Sequence, residues 1–309
     1  MSTTLDAGSP PGASLPSGIP DLGKKARPGE TAIVWSLRVS ALLSVAITVA
    51  IVVALSRPVV DFFREIPFGD FFATEGRFAV LPLISATFVV TVIALLVAVP
   101  LGLGAAMYLS EYASRRARKV LKPTVELLAG VPSVVYGFFA VFFVTPTLLQ
   151  DILNLNVNFT NALAAGLVLG VMIVPTVASL SEDAFTAVPQ ALRQGSFAMG
   201  ANRMQTTLRV VLPAALSGVA AAVVLGMSRA VGETMIVALA AGGQKNLSAD
   251  PREGMQTMTG FIAQTARGEN PVGSTEYNTL FAVGLTLFVI TLVINFVSIA
   301  LVRRFRQEY

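Results

Sequence analysis

Residues 81–109 read LPLISATFVVTVIALLVAVPLGLGAAMYL, a stretch of 29 residues without one charged side chain. A helix of about 20 apolar residues crosses a hydrocarbon core, so this stretch predicts a transmembrane helix. Outward from it lie five more apolar runs of sufficient length, at residues 32–55, 123–149, 161–180, 214–241 and 279–302. The sequence therefore predicts an all-α membrane protein with six transmembrane helices.

Composition excludes several classes of protein. Hydrophobic residues make up 54% of the 309 residues, charged residues only 13%, and the mean hydropathy is +0.72, which is not the composition of a soluble globular domain. The basic residues form no stripe with interleaved aromatics, so no nucleic-acid partner is expected. Without Cys or His there is no thiol nucleophile, imidazole base or imidazole metal ligand. We expect a non-enzymatic protein with no metal site and no cofactor.

The distribution of basic residues predicts the orientation. If the N-terminus is cytoplasmic, cytoplasmic segments hold 14 of the 22 Lys and Arg, extracytoplasmic segments hold six, and Arg38 and Arg229 lie inside spans. The positive-inside rule then predicts that both termini are cytoplasmic. Residues 1–30, rich in Pro, Gly and Ser, are predicted to be a disordered cytoplasmic tail that precedes a transmembrane domain at 31–309.

Two connections are too long for simple turns. The extracytoplasmic loop at about 242–278 carries Met255, Met258, Ile262 and Ala266 at helical spacing, which predicts a short helix lying on the membrane or plugging a vestibule. The cytoplasmic loop at about 181–213 mixes apolar and polar residues with two glycines. This pattern predicts a helical segment that leaves the membrane, turns and re-enters.

Arg229 and Glu233 lie four residues apart inside the predicted fifth span. Four residues is one turn, so a continuous helix places both side chains on one face, where they neutralise each other. Charged groups at that depth mark a translocation pathway or form a structural ion pair between helices. Glu126, near the cytoplasmic end of the predicted third span, either belongs to the pathway or extends to water.

The run Gln194-Gly195-Ser196-Phe197-Ala198-Met199-Gly200 is followed, nine residues later, by Val210-Val211-Leu212-Pro213. It resembles the coupling loop of ABC-importer permeases, whose pattern is Glu-Ala-Ala, three residues, Gly, nine residues, Ile-x-Leu-Pro. Gly200, Leu212 and Pro213 match that pattern, whereas Gln194, Gly195 and Ser196 replace Glu-Ala-Ala. The resemblance implies a type I importer fold and a short helix that docks into a separate ATPase, with Gly200 permitting the turn beneath it. The alternative is an ordinary amphipathic loop.

Further stretches are similar to phosphate-uptake permeases over residues 80–303. They are Leu81-Pro82-Leu83-Ile84, the run from Lys122-Pro123 to Tyr136-Gly137, and Arg229-Ala-Val-Gly-Glu233-Thr234. Glu233-Thr-Met-Ile-Val237 is similar to the PstC-type subunit. The resemblance implies that Arg229, Glu233 and Glu126 belong to the functional pattern of a phosphate permease in a bacterial inner membrane.

The same resemblance implies the partners. They are a homologous PstA-type permease, a dimer of ATP-binding subunits, an extracytoplasmic phosphate-binding protein and membrane lipid. No Gly-x-x-x-x-Gly-Lys-Ser/Thr motif occurs, so ATP hydrolysis is expected on separate subunits. Three alternatives stay open: a permease for sulfate or molybdate, an ATP-independent secondary transporter or channel, and a membrane scaffold.

Overall fold

A computed structural model describes residues 28–268 and 270–304, and the predicted disordered tail lies outside these ranges except for its last three residues. The helices of the described residues run as follows: α1 Pro28–Glu65, α2 Phe68–Phe71, α3 Leu81–Met107, α4 Arg115–Leu128, α5 Ser133–Phe139, α6 Ala162–Ala187, α7 Gln190–Ala198, α8 Arg203–Thr206, α9 Leu212–Ala214, α10 Leu216–Val231, α11 Met235–Ala240, α12 Met258–Arg267 and α13 Thr275–Arg304. Three π-helical segments add to them: π1 (Tyr108–Tyr112) extends α3, π2 (Ala140–Ile152) extends α5, and π3 (Thr207–Val211) joins α8 to α9.

The chain forms two structural units, Met1–Ala54 and Leu55–Tyr309. In the first unit the described residues are the N-terminal part of α1, an apolar helix. The second unit contains every other element and all the candidate site residues considered below.

Five helical segments in the described residues are long and apolar enough to cross a membrane: Thr31–Glu65, Leu81–Tyr112, Ser133–Ile152, Ala162–Ala187 and Thr275–Ala300. A sixth span is obtained if Arg203–Ala214 and Leu216–Val231, which meet at a 71° bend, are counted together. The all-α membrane architecture is therefore confirmed.

Two predicted spans differ from the structure. The third span begins at Ser133 rather than at Pro123, because residues 115–128 form the separate amphipathic helix α4 and a break at Gly130–Pro132 follows it. The fifth span is not one helix over 214–241. Its regular part is α10, which ends at Val231 before the short helix α11 begins at Met235.

Helices α3 and α6 pack closely at the centre of the second unit. A Cβ added at Gly166 would lie 2.7 Å from the Cβ of Ile93, and one added at Gly170 would lie 2.7 Å from the Cβ of Val97. Small residues permit such close contact between membrane helices. The main hydrophobic cluster surrounds this contact and includes Ala94, Val168 and Leu169.

The loop between α11 and α12 covers the N-terminus of α6. Asn161 caps α6 through its Oδ1, which accepts from the backbone N of Ala164 at 2.7 Å. The backbone amides of Ala162 and Leu163 donate to the carbonyls of Glu253 and Pro251 at 3.1 and 2.8 Å. These contacts satisfy amides that a helix start otherwise leaves without an acceptor.

The helix predicted in the 242–278 loop is present as α12 and begins at Met258. Met258 and Phe261 pack into a second hydrophobic cluster with Phe62, Leu83 and Val283. Because this face is buried against spanning helices, α12 is an integral part of the bundle.

Candidate functional site

Arg229 lies in the last turn of α10, about 20 Å along the helix from Leu216. Its side chain is exposed, and its Nη1 donates to the hydroxyl of Thr176 on α6 at 3.3 Å. Gly226 brings α10 close to α6, since a Cβ there would lie 3.0 Å from Val177 Cγ2. On another side of α10, the Ser228 hydroxyl donates to Asn295 Oδ1 on α13 at 2.7 Å. The guanidinium is thus held on a firmly packed helix while it faces out of the chain.

Glu233 lies in the break between α10 and α11. One of its carboxylate oxygens accepts from the backbone N of Met235 at 3.0 Å, and its carbonyl accepts from the Thr259 hydroxyl of α12 at 2.6 Å. The carboxylate therefore stabilises the start of α11, and the carbonyl joins the break to α12.

The predicted neutralisation of Arg229 by Glu233 is wrong for this conformation. Within the described ranges, the ion pairs do not include one between these two residues. The reason is local: α10 ends before Glu233, so the two residues do not share a helix turn, and the carboxylate binds the first amides of the next helix instead.

Glu126 lies on α4 with an exposed side chain. Its predicted position inside the third span is wrong, because that span begins at Ser133. Glu126 therefore belongs to an amphipathic helix outside the candidate spans, whereas Arg229 lies in α10 and Glu233 in the break that follows it.

The predicted coupling loop contains α7, a tight turn, α8, π3 and α9. Gly200 forms the turn with φ of +84°, a left-handed conformation that non-glycine residues adopt at a cost. The amide of Gly200 donates to the carbonyl of Phe197 at 2.9 Å, and the Ser196 hydroxyl contacts the Thr206 hydroxyl at 2.9 Å. The turn thereby folds α7 back towards α8.

The outer surface of this loop is available for a partner. Gln194 and Gly195 are exposed on α7, and Met199, next to the turn, is 89% exposed. Leu212 and Pro213 are the first two residues of α9, which follows π3 without a break.

The structure contains a buried carboxylate that the sequence does not predict. Glu182, near the end of α6, is fully buried and accepts from Arg118 and from Lys122, the latter at 2.6 Å, both on α4. Lys122 also contacts Asp183 at 3.2 Å. The hydrogen bond with Glu182 is the largest contribution to a raised pKa of Lys122, which lies outside the spans.

This cluster joins α4 to the end of α6. A sequence signal existed, since Glu182 and Asp183 come only one residue, Ser181, after the end of the apolar run 161–180. Their partners are 60 residues away and cannot be read from spacing. Among the described residues, no group of three or more Asp and Glu side chains could hold a metal ion.

Lys245, in the loop before α12, is half-buried. Its Nζ donates to the carbonyl of Arg77 at 2.7 Å and lies 4.2 Å from the centroid of the Phe261 ring. Burial, with a smaller contribution from the charge of Arg77, lowers the pKa of Lys245 to about 8.

Comparisons with known proteins place this arrangement in a family. Residues 98–308 match the family model described as binding-protein-dependent transport system inner membrane component. Two solved ABC transporters share the fold: a bacterial alginate transporter (TM-score 0.65, 17% identity, 91% of this chain and 98% of that chain) and the MetNI methionine transporter (TM-score 0.55, 22% identity, 74% and 94%).

The chain belongs to this family of multi-pass inner membrane permease components of ABC transporters. Among its relatives, it is 40% identical over 230 residues to the probable ABC transporter permease protein YqgH of Bacillus subtilis, covering 74% of this chain and 72% of that protein. It is 36% identical over 266 residues to the phosphate transport system permease protein PstC 1 of Mycobacterium tuberculosis, covering 77% and 78%.

Proposed function

We propose that this chain is the PstC-type permease subunit of an ATP-driven importer of inorganic phosphate. In this proposal it forms the translocation path with a homologous PstA-type permease and receives phosphate from an extracytoplasmic binding protein. Both termini are cytoplasmic, and a dimer of separate ATP-binding subunits supplies the energy. Sequence identity to proteins named as phosphate permeases supports the choice of substrate.

The observation that carries the proposal is the exposed guanidinium of Arg229 on a helix of the membrane bundle. A charge at such depth is costly against lipid and stable against a water-filled path or a second protein. A guanidinium also presents a planar set of donors that suits phosphate oxygens. Arg229 is therefore the proposed phosphate contact, facing the interface with the second permease.

Glu233 has a different role in this proposal from direct neutralisation of Arg229. Its carboxylate and carbonyl hold the break between α10 and α11, and this break begins directly after the helix turn that carries Arg229. Glu233 thereby sets the position of Arg229 in the path. Glu126 receives no pathway role, because it lies on α4 outside the spans.

The loop around α7 is the proposed contact with the ATP-binding subunits. Gln194 and Gly195 lie on its exposed surface, Ser196 and Gly200 shape the turn, and Leu212 and Pro213 lead back into α10. Closure of the ATP-binding subunits displaces α7, and the permease helices alternate between outward and inward access.

Transport by the reconstituted four-component system tests the proposal. Wild-type complex is expected to take up labelled phosphate only with ATP and binding protein, and to ignore sulfate and molybdate. Arg229→Gln should assemble but abolish uptake. Arg229→Lys should lower uptake about 10- to 100-fold, the value of one charge-assisted hydrogen bond. Arg38→Gln, the other arginine in a predicted span, is the matched control and should retain uptake.

Other results would contradict the proposal. ATP-independent uptake would indicate a secondary transporter, and uptake of sulfate or molybdate in preference to phosphate would indicate another substrate. If Arg229→Gln or Glu233→Gln alone reduced assembly and the double variant restored both assembly and uptake, the two residues would be a structural pair. An assembled, inactive double variant supports the pathway role.

A further inference from the structure

Arg193 is the buried residue of α7, a helix that is otherwise exposed or half-buried. Only 7% of Arg193 is exposed. Its Nη1 donates to the carbonyl of Val188 at 2.5 Å, and its Nη2 donates to the carbonyl of Phe185 at 2.7 Å and to Glu111 Oε1 at 2.9 Å. One guanidinium therefore joins α7 to the end of α6 and to Glu111, which lies 82 positions away in the sequence.

The two carbonyls belong to the C-terminus of α6. Phe185 is in its last turn and Val188 is its C-cap residue. The Phe185 carbonyl accepts from the capping amide of Val188 at 3.2 Å, but neither carbonyl is followed by a further helical turn that would supply a donor. A cation at a helix C-terminus is also favoured by the helix dipole. Arg193 thus closes the end of α6 from the neighbouring helix.

The carboxylate belongs to π1, the segment that continues α3. The side chains of Glu111 and Arg193 are 10% and 9% exposed. Phe185, Val188 and Val211 form a hydrophobic cluster beside them, with Leu192 packed against it. Removing one member of a buried pair leaves the other charge uncompensated, which is strongly destabilising for that arrangement.

We propose that Arg193 and Glu111 are positioning residues that make α7 move as one body with the cytoplasmic ends of α6 and α3. This inference rests on the proposed function, because it takes α7 to be the helix displaced by the ATP-binding subunits. Since α3 and α6 pack closely at Gly166 and Gly170, a displacement of α7 reaches the centre of the bundle through the three hydrogen bonds of Arg193. Without these hydrogen bonds, α7 pivots on its backbone connections. ATP hydrolysis then moves the loop alone and does not drive the spanning helices.

The ratio of phosphate imported to ATP hydrolysed by the reconstituted complex tests the inference. Arg193→Gln is expected to hydrolyse ATP while importing at least about tenfold less phosphate per ATP, as for a lost charge-assisted hydrogen bond. Glu111→Gln should lower the ratio less, because the two carbonyl contacts remain. The double variant should be no worse than Arg193→Gln, since the residues act as one unit. Arg193→Lys should restore the ratio only in part. Its ammonium keeps the positive charge, but it cannot donate to three acceptors in fixed directions as a guanidinium does.

Arg116→Gln is the matched control, since Arg116 is an exposed arginine on α4, and its ratio should equal that of the wild type. An unchanged ratio in Arg193→Gln would overturn the inference while leaving the proposed function intact. Absence of ATP-dependent phosphate uptake by the wild-type complex would instead overturn the proposed function.

A distance measurement covers the case in which Arg193→Gln fails to assemble. Because the chain has no Cys, spin labels can be placed at Met199→Cys beside α7 and at Leu180→Cys on α6, both exposed positions. With wild-type Arg193, the distance between the labels should be the same with and without ATP. In Arg193→Lys the distribution of distances should broaden. A wild-type distance that changes by several ångströms on ATP binding would show that α7 moves independently of α6 and would overturn the inference.

Discussion

At the scale of single residues, backbone conformation rather than side-chain size explains why position 200 is a glycine. Gly200 has φ of +84°, yet a Cβ built there meets no atom within 4 Å. The turn therefore requires glycine for its conformation and not because the site is crowded. At Glu182, in contrast, the neighbouring side chains are decisive, because two cations of α4 make burial of its carboxylate possible.

Replacement of Gly200 tests this distinction. Gly200→Ala should cost roughly 1–2 kcal/mol in the turn, because a Cβ disfavours left-handed backbone. Gly200→Arg should cost about the same, since the added atoms extend into open space, whereas Gly200→Asn should be milder. The measurement is phosphate import per ATP, with thermal stability of the complex recorded for each variant.

The matched control is Gly104→Ala, at a helical glycine that also has nothing within 4 Å of a built Cβ. It should be neutral or slightly stabilising. If Gly200→Arg were far worse than Gly200→Ala, crowding by an ATP-binding subunit rather than backbone strain would be the cause. If Gly200→Ala and the wild type had the same import ratio and thermal stability, position 200 would not require glycine for its conformation.

At the scale of elements, the structure contains breaks between helices that hydropathy does not show. The apolar runs at 123–149 and 214–241 look continuous by hydropathy. The structure divides the first into α4 and the span from Ser133, and ends α10 at Val231. Hydropathy averages over a window, so it cannot detect three residues at which the backbone turns.

Cysteine accessibility distinguishes α4 from the start of a span. Glu126→Cys should react with a water-soluble maleimide from the cytoplasmic side, because its side chain is exposed on an amphipathic helix. Phe142→Cys, exposed but inside the span Ser133–Ile152, should be protected by lipid. The native chain has no Cys to react. Protection of Glu126→Cys equal to that of Phe142→Cys would return residue 126 to the hydrocarbon core.

At the scale of the whole molecule, Lys245 reports both the orientation of the chain in the membrane and the burial of its own side chain. The chain has five lysines, at positions 24, 25, 119, 122 and 245, and the proposed orientation places only Lys245 outside the cell. Its lowered pKa, about 8, results chiefly from burial, which disfavours the ammonium form. The neutral, nucleophilic amine is therefore half populated near pH 8, whereas an ordinary lysine reaches that point near pH 10.5.

Labelling of intact cells follows from this. A membrane-impermeant acylating reagent should modify one lysine, with a rate that rises through about pH 8 and levels off above it. Lys245→Arg, which keeps the charge, should remove the signal. Modification of Lys119 or Lys122 from outside would reverse the orientation, and a midpoint near pH 10.5 would show that Lys245 is not buried as described.

The sequence by itself determined the membrane class, the approximate spans and the cytoplasmic helical segment that turns at Gly200, because these depend on composition and on local spacing. A run of apolar residues needs no distant partner to prefer lipid, and the distance from Gly200 to Leu212 is a local property.

Only the tertiary structure decided which charged side chains contact each other. Spacing predicted that Arg229 faces Glu233, whereas the end of α10 separates them and the break captures the carboxylate. The contacts of Glu182 with Lys122 and of Arg193 with Glu111 join residues 60 and 82 positions apart. Such pairs form because close packing of α3 and α6 brings the ends of distant helices together, and no local pattern encodes that geometry.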